Sequence, residues 1–152
     1  PFPMPVVILV VIVAIFLFLE RKTLLGKYSM AIGGNTAAAY LSGINSDKIV
    51  FLLFTITGGL AGLAGAIAAS RIGSGNPRIG DGFEFDVIIA IILGGTRLAG
   101  GRGTILGTLI AALIVAAIGS GLNMLGMLSF WQLVLKGGIL VLAILLNEKL
   151  GK

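Results

Sequence analysis

Cysteine and histidine are both absent from the chain. Without thiols or imidazoles there is no disulfide, no Cys/His metal centre and no histidine acid–base catalyst. Charge is scarce as well: 11% of residues are charged, against about 25% in a soluble domain. The six acids, Glu20, Asp47, Asp81, Glu84, Asp86 and Glu148, are scattered and form no pattern of paired catalytic carboxylates. The net charge is +5, but its basic residues are dispersed rather than clustered, which excludes a nucleic-acid-binding patch. No catalytic residue, metal or cofactor is expected, and the chain does not read as an enzyme.

What the chain has in abundance is apolar sequence: 57% of its 152 residues are hydrophobic and the mean hydropathy is +1.12. A single core of this size cannot hide that much apolar surface. The expectation is an all-α, polytopic membrane protein with about five membrane-inserted helices, one of them short or broken. Pro1 to Leu19 is uncharged and just long enough to cross a hydrocarbon core of about 30 Å. It has neither the basic start nor the small-residue cleavage site of a signal peptide. Ile49 to Ser70 is a second uncharged run, threaded with Gly58, Gly59, Gly62 and Gly65. Small residues of this kind let membrane helices approach closely.

Val87 to Thr96 is apolar but too short to span alone. The region from Phe83 to Gly94 therefore reads as a broken or steeply placed helix covered by protein. Gly103 to Leu135 is uncharged and too long for one helix. Asn123, Gly126 and Ser129 divide it into a helix over 104–122 and a last helix over 130–147. Gly103, Gly107 and Ala111, four residues apart, mark a close-packing face.

The basic residues orient the spans. Arg21, Lys22, Lys27, Lys48, Arg97, Arg102, Lys149 and Lys152 fall on one side by alternation; only Arg71 and Arg78 fall on the other, beside Asp81, Glu84 and Asp86. The positive-inside rule places the start outside and the C-terminus in the cytoplasm. Lys136 lies inside the last span. It either snorkels to the outer interface or lines a pore.

Three polar segments are candidates for function. Gly33-Gly34-Asn35 precedes a short helix that Asn35 or Thr36 caps and Gly43 ends. No cation lies within it, which argues against a phosphate site. Gly94-Gly95-Thr96-Arg97-Leu98-Ala99-Gly100-Gly101-Arg102-Gly103-Thr104 has glycines at the spacing of a nucleotide-binding loop. Gly101 and Arg102, however, stand where Lys and Ser/Thr are required. The segment reads as a tight turn or as a docking surface for a partner. The outer segment 71–86 carries turn signals at Asn76-Pro77 and Asp81-Gly82, and local pairing of Glu84 and Asp86 with Arg71 and Arg78 is expected.

Read together, these blocks resemble the C-terminal half of the permease subunit of bacterial ATP-binding-cassette sugar importers of the ribose/xylose/galactose type. The likeness runs from about Leu25 to Leu146. It rests on the 33–44 block, on Gly80-Asp81-Gly82-Phe83-Glu84-Phe85-Asp86 leading to Ile91-Ile92-Leu93-Gly94-Gly95-Thr96, and on Leu98-Ala99-Gly100-Gly101-Arg102-Gly103 with Gly107. The tail, Gly121-Leu122-Asn123-Met124-Leu125-Gly126 with Phe130-Trp131-Gln132 and Lys136-Gly137, also fits. Thr36 departs from the pattern, where the family often has an acid, and Arg78 and Asp81 add charge.

The resemblance implies a single transmembrane domain over 1–152, the second half of a longer permease, in the bacterial inner membrane among its lipids. It implies a second permease subunit, a cytoplasmic ATPase and a periplasmic sugar-binding protein as partners. Gly94, Gly95, Thr96, Arg97, Gly100, Gly101, Arg102 and Gly103 would dock the ATPase, with Gly33, Gly34, Asn35 and Gly43 as a buttress. Asp81, Glu84, Asp86 and Lys136 would sit at a pore or outer gate. An amino-acid or nucleoside importer of the same superfamily, or a small oligomeric channel or scaffold, is the alternative.

Overall fold

A computed structural model describes residues 3–73, 75 and 80–150. The only regular structure among the described residues is α-helix, and the chain divides into two compact units, Pro1–Asp81 and Gly82–Lys152.

In the first unit, α1 (Met4–Lys22) begins with proline in its first turn and ends with Arg21 and Lys22 in its last. Both suit the helix ends: proline lacks an amide donor that would be orphaned there, and cations complement the C-terminal dipole. Thr23 is extended and its hydroxyl donates to the Leu19 carbonyl at 2.6 Å. The chain then turns into α2 (Leu24–Gly34). A side chain at Gly26 would collide with the backbone carbonyl of Glu20, so glycine is what lets α2 start against the end of α1.

Asn35 joins two helices. Its N–H donates to Ala31 O at the end of α2, and its Oδ1 accepts from Ala38 N at 3.0 Å at the start of α3 (Thr36–Leu41). Gly43, at φ +82, closes α3: its N–H reaches Tyr40 O and the next N–H, from Ile44, reaches Ala39 O. That pair of bonds is a Schellman ending. Asn45 then caps α4 (Ser46–Ile72), accepting from Lys48 N at 3.2 Å. Replacing Asn35 with alanine is expected to cost about 1 kcal/mol of local stability, the usual worth of an N-cap. Hydrogen exchange at Ala37 and Ala38 should then quicken, while the amides of α4 keep their protection.

The second unit packs α5 (Phe83–Leu93) against α6 (Ile105–Met124) and α7 (Ser129–Leu150). Its core is small: Ile89, Ala90, Ile92, Ala111 and Ala143 are buried. The close-packing face read from the sequence is real. A side chain on Gly107 would strike the carbonyl oxygen of Gly94, and one on Gly94 would lie 2.6 Å from Thr108 Cα. Gly103 meets Thr96 in the same way, with its Oγ1 at 2.8 Å. The end of α5 and the first turn of α6 therefore cross with no room for a Cβ.

α1, α4 and α6 are long and apolar enough to cross a membrane, and 130–145 forms a shorter apolar helix. α5 has 11 residues, about 16 Å of helix at 1.5 Å per residue. It cannot cross a core of about 30 Å. The expected short insertion is thus present with the expected boundaries. α2 was not foreseen: Gly33 and Gly34 form its last turn rather than a loop. Most large apolar side chains stay exposed, Phe51, Phe54, Leu113 and Leu142 among them. An apolar exterior of this extent suits a bilayer or covering subunits rather than water.

Candidate functional site

The loop between α5 and α6 is tied down at both ends and across its middle by backbone hydrogen bonds. α5 ends in a Schellman motif: Gly95 N–H donates to Ile92 O at 3.0 Å and Thr96 N–H to Ile91 O at 3.2 Å, with Gly95 at φ +86. Arg97 N–H then donates to Arg102 O at 2.9 Å and Gly100 N–H to Arg97 O at 3.0 Å. Gly100 and Gly101 both have positive φ, +86 and +77, a conformation that side chains rarely tolerate. Thr104 closes the loop by accepting from Gly107 N at 3.2 Å as the cap of α6. The N–H groups of Gly95, Thr96, Arg97 and Gly100 are thus spent on chain carbonyls that set the loop's shape. Leu98 and Arg102 face outward, and Arg97 is half-buried.

A side chain far along α7 reaches this loop. Asn147 Nδ2 donates to Ile92 O at 3.3 Å and to Thr96 O at 3.1 Å. Asn147 was read only as the end of a helix; nothing in its local spacing announces a contact with a loop some fifty residues earlier. At the other end of α7, Gln132 Nε2 donates to Asn123 Oδ1 at 2.9 Å and to Met127 O at 3.0 Å. It thereby braces the α6–α7 turn, whose Gly126 at φ +68 forms another Schellman ending.

Between these ties lies an ion pair. Lys136 Nζ is 2.7 Å from Asp86 Oδ2, the two side chains being 19% and 24% exposed. The snorkelling expected of Lys136 is therefore corrected: its ammonium is directed at a carboxylate on α5. The pairing expected of Asp86 is corrected too, since its partner is Lys136. Arg78 and the Asn76-Pro77 turn lie outside the described residues. Sequence reasoning paired charges within one loop, whereas the fold joins groups 50 residues apart. Asp86 Oδ1 is buried without a hydrogen-bond partner among the described residues. The pair is partly buried, so removing one member should cost less than the roughly 3–5 kcal/mol typical of a fully buried pair, where the other charge is left uncompensated. Glu84 and Asp81 are exposed; Lys136 takes Asp86 of the acids grouped with it.

In the first unit α3 packs on α2 and α4 by one face only. Only Ala39 is buried, and Tyr40 and Leu41 are 74% and 86% exposed. Gly33 and Gly34 end α2, Asn35 links the two helices and Gly43 ends α3. These residues shape the support on which an exposed apolar knob is presented.

Three apolar helices of membrane length, and in the second unit a half-length helix tied to α7 by polar groups, define a polytopic membrane protein. The chain belongs to the family described as "Branched-chain amino acid transport system / permease component", which matches residues 2–144. It is 45% identical over 147 residues to the ribose import permease protein RbsC of Escherichia coli, covering 97% of this chain and 46% of that protein. It is 46% identical over 142 residues to the xylose transport system permease protein XylH of Haemophilus influenzae, covering 93% and 38%. It is 48% identical over 132 residues to the probable ABC transporter permease protein YphD of Escherichia coli, covering 87% and 40%. The chain thus spans less than half the length of each of these relatives. No solved structure matches it. The resemblance to sugar importer permeases read from the motifs is borne out.

Proposed function

We propose that this chain is the C-terminal portion of a permease subunit that carries a monosaccharide across the bacterial inner membrane within an ATP-binding-cassette importer. The observation that carries this reading is the 45% identity to a ribose import permease along 97% of the chain, joined by comparable identity to a xylose permease. Import of a branched-chain amino acid is the second reading, favoured by the wording of the family description. The permease makes and breaks no covalent bond, in keeping with a chain that has no cysteine or histidine.

In this reading a second permease subunit completes the path, a periplasmic binding protein delivers the sugar and a cytoplasmic ATPase drives alternating access. The basic side of the chain is cytoplasmic in this reading, and the 94–104 loop and α3 are each available to the ATPase. The loop offers a rigid, hydrogen-bonded surface with Arg102 outward, and α3 offers Tyr40 and Leu41. Arg102 would meet an acidic group on the ATPase. Gly33, Gly34, Asn35 and Gly43 hold α3 in place. Asp81 and Glu84 lie toward the outer side, where the binding protein would dock.

The test is ATP hydrolysis by the reconstituted full-length complex. Binding protein loaded with ribose or xylose should stimulate it, and leucine-loaded binding protein should not; the reverse pattern selects the amino-acid reading. Orientation has its own test. A cysteine in place of Gly126 should react with an impermeant thiol reagent in intact cells, and one in place of Ser46 should react only after the membrane is opened. Labelling of the 46 position alone in intact cells would invert the topology.

A further inference from the structure

Gln132, Lys136, Ala143 and Asn147 are spaced four, seven and four residues apart, which places them on one face of α7. Two of them grip α5. Lys136 pairs with Asp86 in its first turn, and Asn147 donates to Ile92 O and Thr96 O at its end. Lys136 and Asn147 are 11 residues apart, and Asp86 and Thr96, which they hold, are 10 apart, so the two grips run in step from the first turn of α5 to the loop just past its end. Between them the contact is apolar, with Ile89, Ala90 and Ala143 buried. Apolar contact is non-directional, and in lipid it gives no hydrophobic force to hold a helix in register. The ion pair and the amide bonds are directional and fix both ends.

We propose that Asp86, Lys136 and Asn147 are positioning residues that lock α5 to α7 at both ends, so that the 94–104 loop and the Asp86 end move as one body during transport. This rests on the permease reading above. In that reading the loop touches the ATPase, and the locked α5–α7 pair carries its displacement to the opposite end of α5. An α5 released at either end would let the loop respond to ATP while the far end stays behind.

The experiment uses the full-length permease with its ATPase and binding protein in proteoliposomes, measuring ATP hydrolysed and solute imported in parallel. Lys136→Met and Asn147→Leu should each keep stimulated hydrolysis within about twofold of the unsubstituted complex and lower uptake about tenfold, so that more ATP is consumed per solute. The reversed pair Asp86→Lys with Lys136→Asp should recover uptake. So should Asp86→Cys with Lys136→Cys once bridged by a short bis-thiol reagent in a cysteine-free background. The lock is overturned by unaltered uptake in the single variants, by hydrolysis and uptake falling in the same proportion, or by bridging that abolishes residual uptake. It is equally overturned if neither the reversed nor the bridged pair recovers uptake. If the unsubstituted complex imports a solute other than a sugar, the functional reading fails, while the ratio of ATP to that solute still judges the lock.

Discussion

Gly107→Ala in the full-length permease is expected to force α6 away from α5 and to abolish most transport. A single methyl there meets the carbonyl oxygen of Gly94, a backbone atom at the end of another helix, rather than a side chain that can rotate aside. Overpacking of a filled site generally costs about 1–3 kcal/mol, and a backbone obstacle puts this case at the upper end. The displacement falls on the Schellman ending of α5 and on the carbonyls that Asn147 holds, so the loop is disturbed along with the packing. Gly119→Ala on the same helix is the control, because a Cβ there meets nothing within 4 Å in this chain. It should be neutral or stabilising by up to about 1 kcal/mol through helix propensity. Thermal unfolding in detergent, followed by size exclusion, separates the two: an early loss for Gly107→Ala and an unchanged or later one for Gly119→Ala. Equal behaviour of both would show that the α5–α6 crossing is looser than the geometry says.

The second large effect is expected in the loop. Gly101→Val places a β-branched residue at φ +77, a strain of about 1–3 kcal/mol. The cost is borne by a segment whose shape depends on the bonds from Arg97 N to Arg102 O and from Gly100 N to Arg97 O. Arg102→Glu works differently. Arg102 is exposed, so its replacement should leave folding alone and act only on a partner surface. Both variants should depress stimulated ATP hydrolysis and uptake together by about tenfold, the loss that roughly 1.4 kcal/mol of coupling represents. Solute binding by the separate binding protein should not change. Full stimulation combined with altered solute preference would show that the loop reads substrate.

The sequence carried the architecture well where the signal was physical length and charge. Three uncharged runs became α1, α4 and α6, and the short run became α5 with boundaries set by Gly82 and Gly94. The cap at Asn35 and the glycine ending at Gly43 follow directly from residue type, whereas the caps at Asn45 and Thr104 emerge only with the fold. α2 escaped because Gly26, Lys27, Ser29, Gly33 and Gly34 interrupt any apolar stripe. Its formation depends on packing beside α1 and α4, as is usual for helices this short. The glycine face of α6 was legible as a pattern, but the sequence could not say that its partner is the Gly94 carbonyl. The polar ties of α7 were the least legible. Lys136, Gln132 and Asn147 read as isolated polar residues in an apolar helix, and their meaning depends on which helices the fold places opposite them.

The most direct test of the central claim is uptake of radiolabelled solute into proteoliposomes holding the full-length permease with its ATPase and binding protein. The account predicts ATP-dependent accumulation of a pentose such as ribose or xylose, undiminished by excess leucine. ATP-dependent accumulation of leucine, with no uptake of either pentose, would contradict it.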